Sequence, residues 1–197
     1  DSLLYNLKKL GRTKNFQQNI TVSYKLPLEK IPITDWISSQ GRMNVKYIWV
    51  GGSLAQSDTL GNIINNNRDY LLNGKIDMIK LYNKIPFLKE FNKKSKLVLN
   101  DSLKTIYDNK FLKTIMKLIM SARSFNINYS INGGTTLAGI TNSPNLFGIN
   151  SKFKSPGWNF ILGSQDPNIR FNASGNNWLT ENSSLTSPFL QFRSQDI

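Results

Sequence analysis

Across residues 19–26, apolar Ile20, Val22, Tyr24 and Leu26 alternate with Asn19, Thr21, Ser23 and Lys25, and the same two-residue period returns further along the chain. In residues 38–49, Ser38, Gln40, Arg42, Asn44 and Lys46 fall in one register; Ser39, Gly41, Met43, Val45, Tyr47 and Trp49 fall in the other. Next, Tyr70, Leu72, Ile76 and Met78 stand opposite Asn73, Lys75 and Asp77, with Leu71 as an exception and Gly74 as a gap. The cleanest run sets Phe125, Ile127, Tyr129 and Ile131 against Ser124, Asn126, Asn128 and Ser130. Weaker candidate strands lie at Phe189–Arg193 and Asn168–Ala173. Successive side chains of a strand point to opposite faces, so each run predicts a strand with one apolar and one wet side. The fold class is therefore all-β, built on antiparallel strands. Sandwiches and membrane barrels share that alternation. Long polar registers and the rings of Tyr47, Trp49 and Tyr129 near strand ends suit a barrel with a wet lumen and an aromatic girdle.

No stretch approaches the roughly 18 apolar residues of a membrane-crossing helix, and the most apolar piece, Phe111–Met120, is interrupted by Lys113 and Lys117. Any crossing is therefore by strands. Leu26–Trp36, with Pro27, Pro32 and Asp35, reads as a short periplasmic turn. Leu54–Asn67, with Leu60-Gly61-Asn62 and Asn65-Asn66-Asn67, reads as a longer extracellular loop. On that topology a surface protease nicks near Asn65 and spares Lys113. Between Tyr82 and Ala122 the period becomes helical, and from Tyr107 onward Phe111, Ile115, Leu118 and Ile119 oppose Lys110, Lys113 and Lys117. Asp101 or Ser102 would cap this amphipathic helix, which either packs on the protein or lies at a membrane surface. From Asn132 to Thr186, Gly133-Gly134, Ser143-Pro144, Pro156-Gly157, Gly163 and Gly175 punctuate a stretch with little periodicity, where Trp158, Phe160 and Trp178 are candidate anchors. The expected organisation is one barrel domain over 1–197. Within it, 1–81 holds three strands with turns, 82–122 is a periplasmic helical excursion, 123–131 is a strand, 132–186 is a long extracellular-type loop with a weak strand, and 187–197 is a further weak strand.

Lys and Arg number 25 against 12 Asp and Glu, a formal charge of +13, yet the positive residues are spread along the chain. The densest cluster is Lys89, Lys93, Lys94 and Lys96, and no zinc-finger or basic-zipper pattern accompanies it, so no nucleic-acid partner is expected. The chain has neither Cys nor His, which removes the commonest general base, zinc ligands and the usual partner of a nucleophilic Ser. No catalytic, cofactor-binding or metal-binding residue is expected; Ser164, after Gly163, is the nearest nucleophile and has no His to activate it.

Counting strands leads to a second conclusion. These runs fall short of the roughly eight strands of the smallest barrels, and an open edge in lipid costs several kcal/mol per unpaired backbone group. A membrane reading therefore requires that the chain be a piece of a longer polypeptide or one of several chains closing a shared barrel. Asp1–Leu10 carries no signal-peptide pattern, which favours the piece. In such a wall Arg42, Asn44, Lys46, Asn126 and Asn128 face the lumen, while Val45, Tyr47, Trp49, Ile127 and Tyr129 face lipid. The alternative is a soluble, secreted all-β module that binds carbohydrate or protein, with Trp158 and Trp178 stacking on sugar rings.

Particular residues carry a resemblance. They are Leu7-Lys8-Lys9-Leu10-Gly11-Arg12-Thr13; Leu26-Pro27-Leu28 with Pro32 and Asp35-Trp36; Leu81-Tyr82-Asn83-Lys84 followed by Pro86-Phe87-Leu88-Lys89; and Pro156-Gly157-Trp158 with Phe160 and Gly163-Ser164-Gln165. In this order, from Asp1 to about Thr180, the chain resembles the SprA/Sov family of the Bacteroidota. That resemblance implies a very large outer-membrane barrel, the translocon of the type IX secretion system that serves gliding motility and exports folded proteins. It also implies, as partners, the rest of the barrel polypeptide, a PorV-type barrel protein, a periplasmic plug protein, the exported cargo and outer-membrane lipid. The chain departs from the family between Phe91 and Asp101, where a longer stretch is expected.

Overall fold

The computed structural model describes residues 4, 13–53, 60–86, 88–89, 110–152, 154–181 and 189–197. Five strands form one sheet: β1 (Asn15–Leu26), β2 (Ile37–Val50), β3 (Asn62–Asp77), β4 (Ser124–Ile140) and β5 (Leu190–Asp196). They lie in sequence order, β1-β2-β3-β4-β5, as an antiparallel meander that is not closed among the described residues. The all-β expectation is met. The pairing of β4 with β5 runs from Ser130↔Asp196 to Thr136↔Leu190. Short helices fill the connections: α1 (Met78–Lys84), α2 (Lys110–Ile119), α3 (Trp158–Ile161) and α4 (Ile169–Gly175). The chain divides into two compact units, residues 1–22, 42–71 and 130–196 in the first, and 23–41, 72–129 and 197 in the second.

The first unit holds an apolar core. Tyr47 and Trp49 of β2, Ile64 of β3, and Leu137 and Ile140 of β4 are buried against Ile149, Phe160, Ile161, Ile169 and Ala173 of the segment that follows β4. This segment is bound as well as packed. The Trp49 indole N–H donates to the Asn142 carbonyl at 3.1 Å, and the Tyr47 hydroxyl donates to that of Gly148 at 3.3 Å. The buried Asn66 amide donates to the Phe160 and Ser164 carbonyls at 2.8 and 3.0 Å and accepts from Gln165 at 2.7 Å. Gln165 in turn accepts from the Thr135 hydroxyl. A polar stretch thus satisfies its own backbone through strand side chains, as buried amide and carbonyl groups must.

Gly148 is required where it stands. Its φ is +81°, and a Cβ there would run into the rings of Tyr47 and Phe16. Gly148→Ala is expected to destabilise the folded chain by about 2–4 kcal/mol, from the left-handed backbone and the overlap together, read as a shift in the denaturation midpoint.

In the second unit, β3 passes directly into α1, whose N-cap Asp77 accepts from the Lys80 backbone N–H at 3.0 Å. Pro86 lies just beyond, where an α-helix ends readily. Tyr82 is buried, and its hydroxyl donates to the Ile119 carbonyl at the end of α2 at 2.7 Å, beside the longer bond from the Ala122 N–H at 3.4 Å. Lys84 pairs with Asp35 at 2.9 Å and donates to the Pro32 carbonyl, joining α1 to the β1–β2 connection.

Several expectations are corrected. Asn65-Asn66-Asn67 are not loop: they sit inside β3, which begins at Asn62, with Asn65 bonded to Thr136 at 2.7 Å and Asn66 buried. The protease site expected near Asn65 therefore falls within a strand. The connections 27–36 and 51–61 are of nearly equal length, so the short-turn, long-loop contrast between them disappears. The strand predicted for 123–131 continues to Ile140, into the region read as loop. Asn168–Ala173 is not a strand but largely the helix α4. Met78 begins α1 rather than ending a strand. Helix α2 is present; on its apolar side Leu118 and Ile119 are 72 and 49% exposed and Ile115 is half-buried. Tyr107, the candidate caps Asp101 and Ser102, residues 7–12 and the departure at Phe91–Asp101 lie outside the described residues.

Candidate functional site

The polar registers come together across strands. In the first unit the Thr21 hydroxyl donates to the Asn44 side-chain oxygen at 2.9 Å, and the Asn44 amide reaches the Asp69 carboxylate at 3.4 Å. This row crosses β1, β2 and β3. With Arg42, Ser130 and Asn132 it lines an open concavity of about 350 Å³. In the second unit Lys25, Gln40, Asn73, Lys75, Asn126 and Asn128 line another, of about 360 Å³. Amides and hydroxyls that hold water make up much of both linings, joined by Arg42 and Asp69, with Tyr70 and Leu71, in the first and by Lys25, Lys75 and Glu29 in the second.

The opposite registers behave differently in the two units. In the second, Tyr24, Leu72, Phe125 and Ile127 are 63, 46, 51 and 52% exposed. Period-two alternation puts each of them on the opposite side of its strand from a lining residue: Lys25, Asn73, Asn126 and Asn128. Large apolar side chains gathered on one sheet face call for a cover of lipid or protein. In the first unit such a cover exists. Val45, Tyr47 and Trp49 are only 1–2% exposed, because the segment after β4 lies over them. Their expected contact with lipid, and the girdle role of Tyr47 and Trp49, are thereby overturned: Phe160 meets Tyr47 edge-on at a centroid distance of 6.1 Å. Ile127 keeps its outward exposure, and Tyr129 is half-buried.

Of the expected lumen residues, Arg42, Asn44, Asn126 and Asn128 line the two polar concavities, whereas Lys46 is half-buried and lines neither. Thr21, Asp69, Ser130 and Asn132 belong with them and were not singled out, although the alternation of their own strands marks the same side. Of the candidate anchors, Phe160 is buried and Trp178 is half-buried on the core, whereas Trp158 is 47% exposed. Trp158 and Trp178 line one cleft of about 400 Å³, together with Ser164 and Asp166.

No helix among the described residues is long and apolar enough to cross a membrane, a statement that leaves strands aside. Compared with known proteins, the chain matches no protein-family model and no curated protein.

Proposed function

We propose that the chain is a wall segment of a large, protein-conducting outer-membrane β-barrel of the SprA/Sov type, which exports folded proteins to the cell surface in type IX secretion and gliding motility. The observation that carries the reading is a sheet with amide-rich concavities on one face, an exposed apolar register behind them in the second unit, and two edge strands that have no partner among the described residues. Water penalises such a surface, while a bilayer together with further strands satisfies it.

Strand length supports the same reading. A tilted strand needs about 9–11 residues to cross the hydrocarbon. β3 and β4 have 16 and 17, more than a crossing needs. Along β4, Phe125 and Ile127 are exposed, whereas Leu137 and Ile140 are covered by protein, as suits a strand that leaves the bilayer. The exposed Leu118 and Ile119 of α2 suit a helix resting at a membrane surface. In this role the chain acts by shape and solvation and is not an enzyme. Its partners are the remaining strands of the barrel polypeptide, lipid on the apolar side, cargo in the lumen, and PorV-type and plug proteins at the openings.

Cloud-point partitioning in a nonionic detergent tests this reading. The 197-residue chain is expected in the detergent-rich phase, and an antibody raised against it is expected to detect a much longer polypeptide in outer membranes. Recovery as a compact monomer in the aqueous phase would overturn the proposal.

A further inference from the structure

The cleft that holds both Trp158 and Trp178 belongs to neither the wet face nor the exposed apolar register. Its volume, about 400 Å³, suits a small ligand of one or two rings. Trp158 opens the α3 helix after Gly157, whose φ is +85°, and leaves nearly half of its surface exposed. Phe147 packs against its ring at 6.1 Å. Trp178 is held from the core side, and the bond from the Thr141 N–H to its carbonyl, 2.9 Å, fixes its backbone. A flat indole held this way offers an apolar plate with a polar rim.

The polar groups are pre-arranged. The Asp166 carboxylate accepts from the Asn168 backbone N–H at 2.8 Å and from the Asn172 side-chain amide at 3.1 Å, so its orientation is set before any ligand arrives. Asn159 and Ser164 line the same cleft. Among the lining residues there is one carboxylate and no Lys or Arg, although the whole chain carries +13. That local charge disfavours phosphate, sulfate and uronate groups. A plate for C–H faces, amides and a carboxylate for hydroxyls, and no cation together match a neutral sugar ring.

We propose that this cleft is a binding site for a neutral pyranose, with Trp158 stacking on the ring and Asp166, Asn172 and Asn159 meeting its hydroxyls. The site stands apart from the transport reading: a sugar site can sit on a barrel wall or on a separate module.

Intrinsic tryptophan fluorescence and saturation-transfer NMR on the full chain test the assignment, using neutral gluco-, galacto- and mannopyranoside disaccharides and, as the charged control, a uronic-acid disaccharide. The detergent is a dimethylamine oxide, because alkyl glycosides would occupy the site. At least one neutral disaccharide is expected to shift the emission and receive saturation, and Trp158→Ala is expected to weaken it by about tenfold or more. Trp158→Phe should retain part of the affinity, and Asp166→Asn should weaken it less than Trp158→Ala. Since Trp158 is half exposed, its removal leaves the core intact, and near-UV circular dichroism from the remaining tryptophans reports that the fold persists. Absence of saturation transfer from every neutral disaccharide, equal affinity in Trp158→Ala, or preference for the uronate would each overturn the proposal.

Discussion

Phe160→Ala is expected to cost about 3–5 kcal/mol and to release the segment between Gly148 and Trp178 from the sheet. Phe160 is 2% exposed, meets Tyr47 edge-on, and has its backbone carbonyl bound by Asn66. Losing the ring removes its buried area and its aromatic partner, and the cavity left over β2 exposes Tyr47 and Ile64. Aromatic pairing adds about 0.5–1.5 kcal/mol to the loss. Limited proteolysis gives the readout: cleavage between Gly148 and Trp178 should accelerate at least tenfold while the β4–β5 pairing persists. A change under about 1 kcal/mol would mean that the polar contacts of Asn66 and Gln165 alone hold this cover in place.

Ile127→Arg and Asn128→Arg make a matched pair on one strand. The first puts a cation on the exposed apolar register of β4, the second on a register that already lines a wet concavity with Lys25 and Lys75. Near the bilayer midplane the first should lower the free energy of membrane assembly by about 2–4 kcal/mol, and the second should leave it within about 0.5 kcal/mol of the parent. Urea titration of the intact barrel, folded into lipid vesicles with each substitution in place, measures both. Equal tolerance at the two positions would remove the lipid-facing role of Ile127. Val45, which alternation alone would choose for this test, is the wrong position: it lies under the cover, so Val45→Arg would unfold the first unit whatever lies outside it.

Much of the site was legible because strand geometry ties identity to side. A period of two places Asn44 opposite Val45 and Asn126 opposite Ile127 with no further information. The residues that escaped did so for specific reasons. Asn65-Asn66-Asn67 has the composition of a loop, and nothing local marks Asn66 as buried, because its partners, the Phe160 and Ser164 carbonyls, lie far along the chain. Gly133 and Gly134 read as punctuation, yet they stand within β4, where glycine admits close neighbours: a Cβ on Gly134 would overlap Asn67 and Phe192.

The sequence by itself determined the all-β class, the strand cores at residues 20–26, 38–49 and 124–131, and which residues share a side, since alternation is a local property of the backbone. Tertiary structure alone decided how each apolar side is covered. Residues 141–180 fold onto Tyr47, Trp49 and Ile64 through contacts about a hundred positions apart, which no periodicity encodes. Burial depends on what meets a face, and that is set by the path of the whole chain.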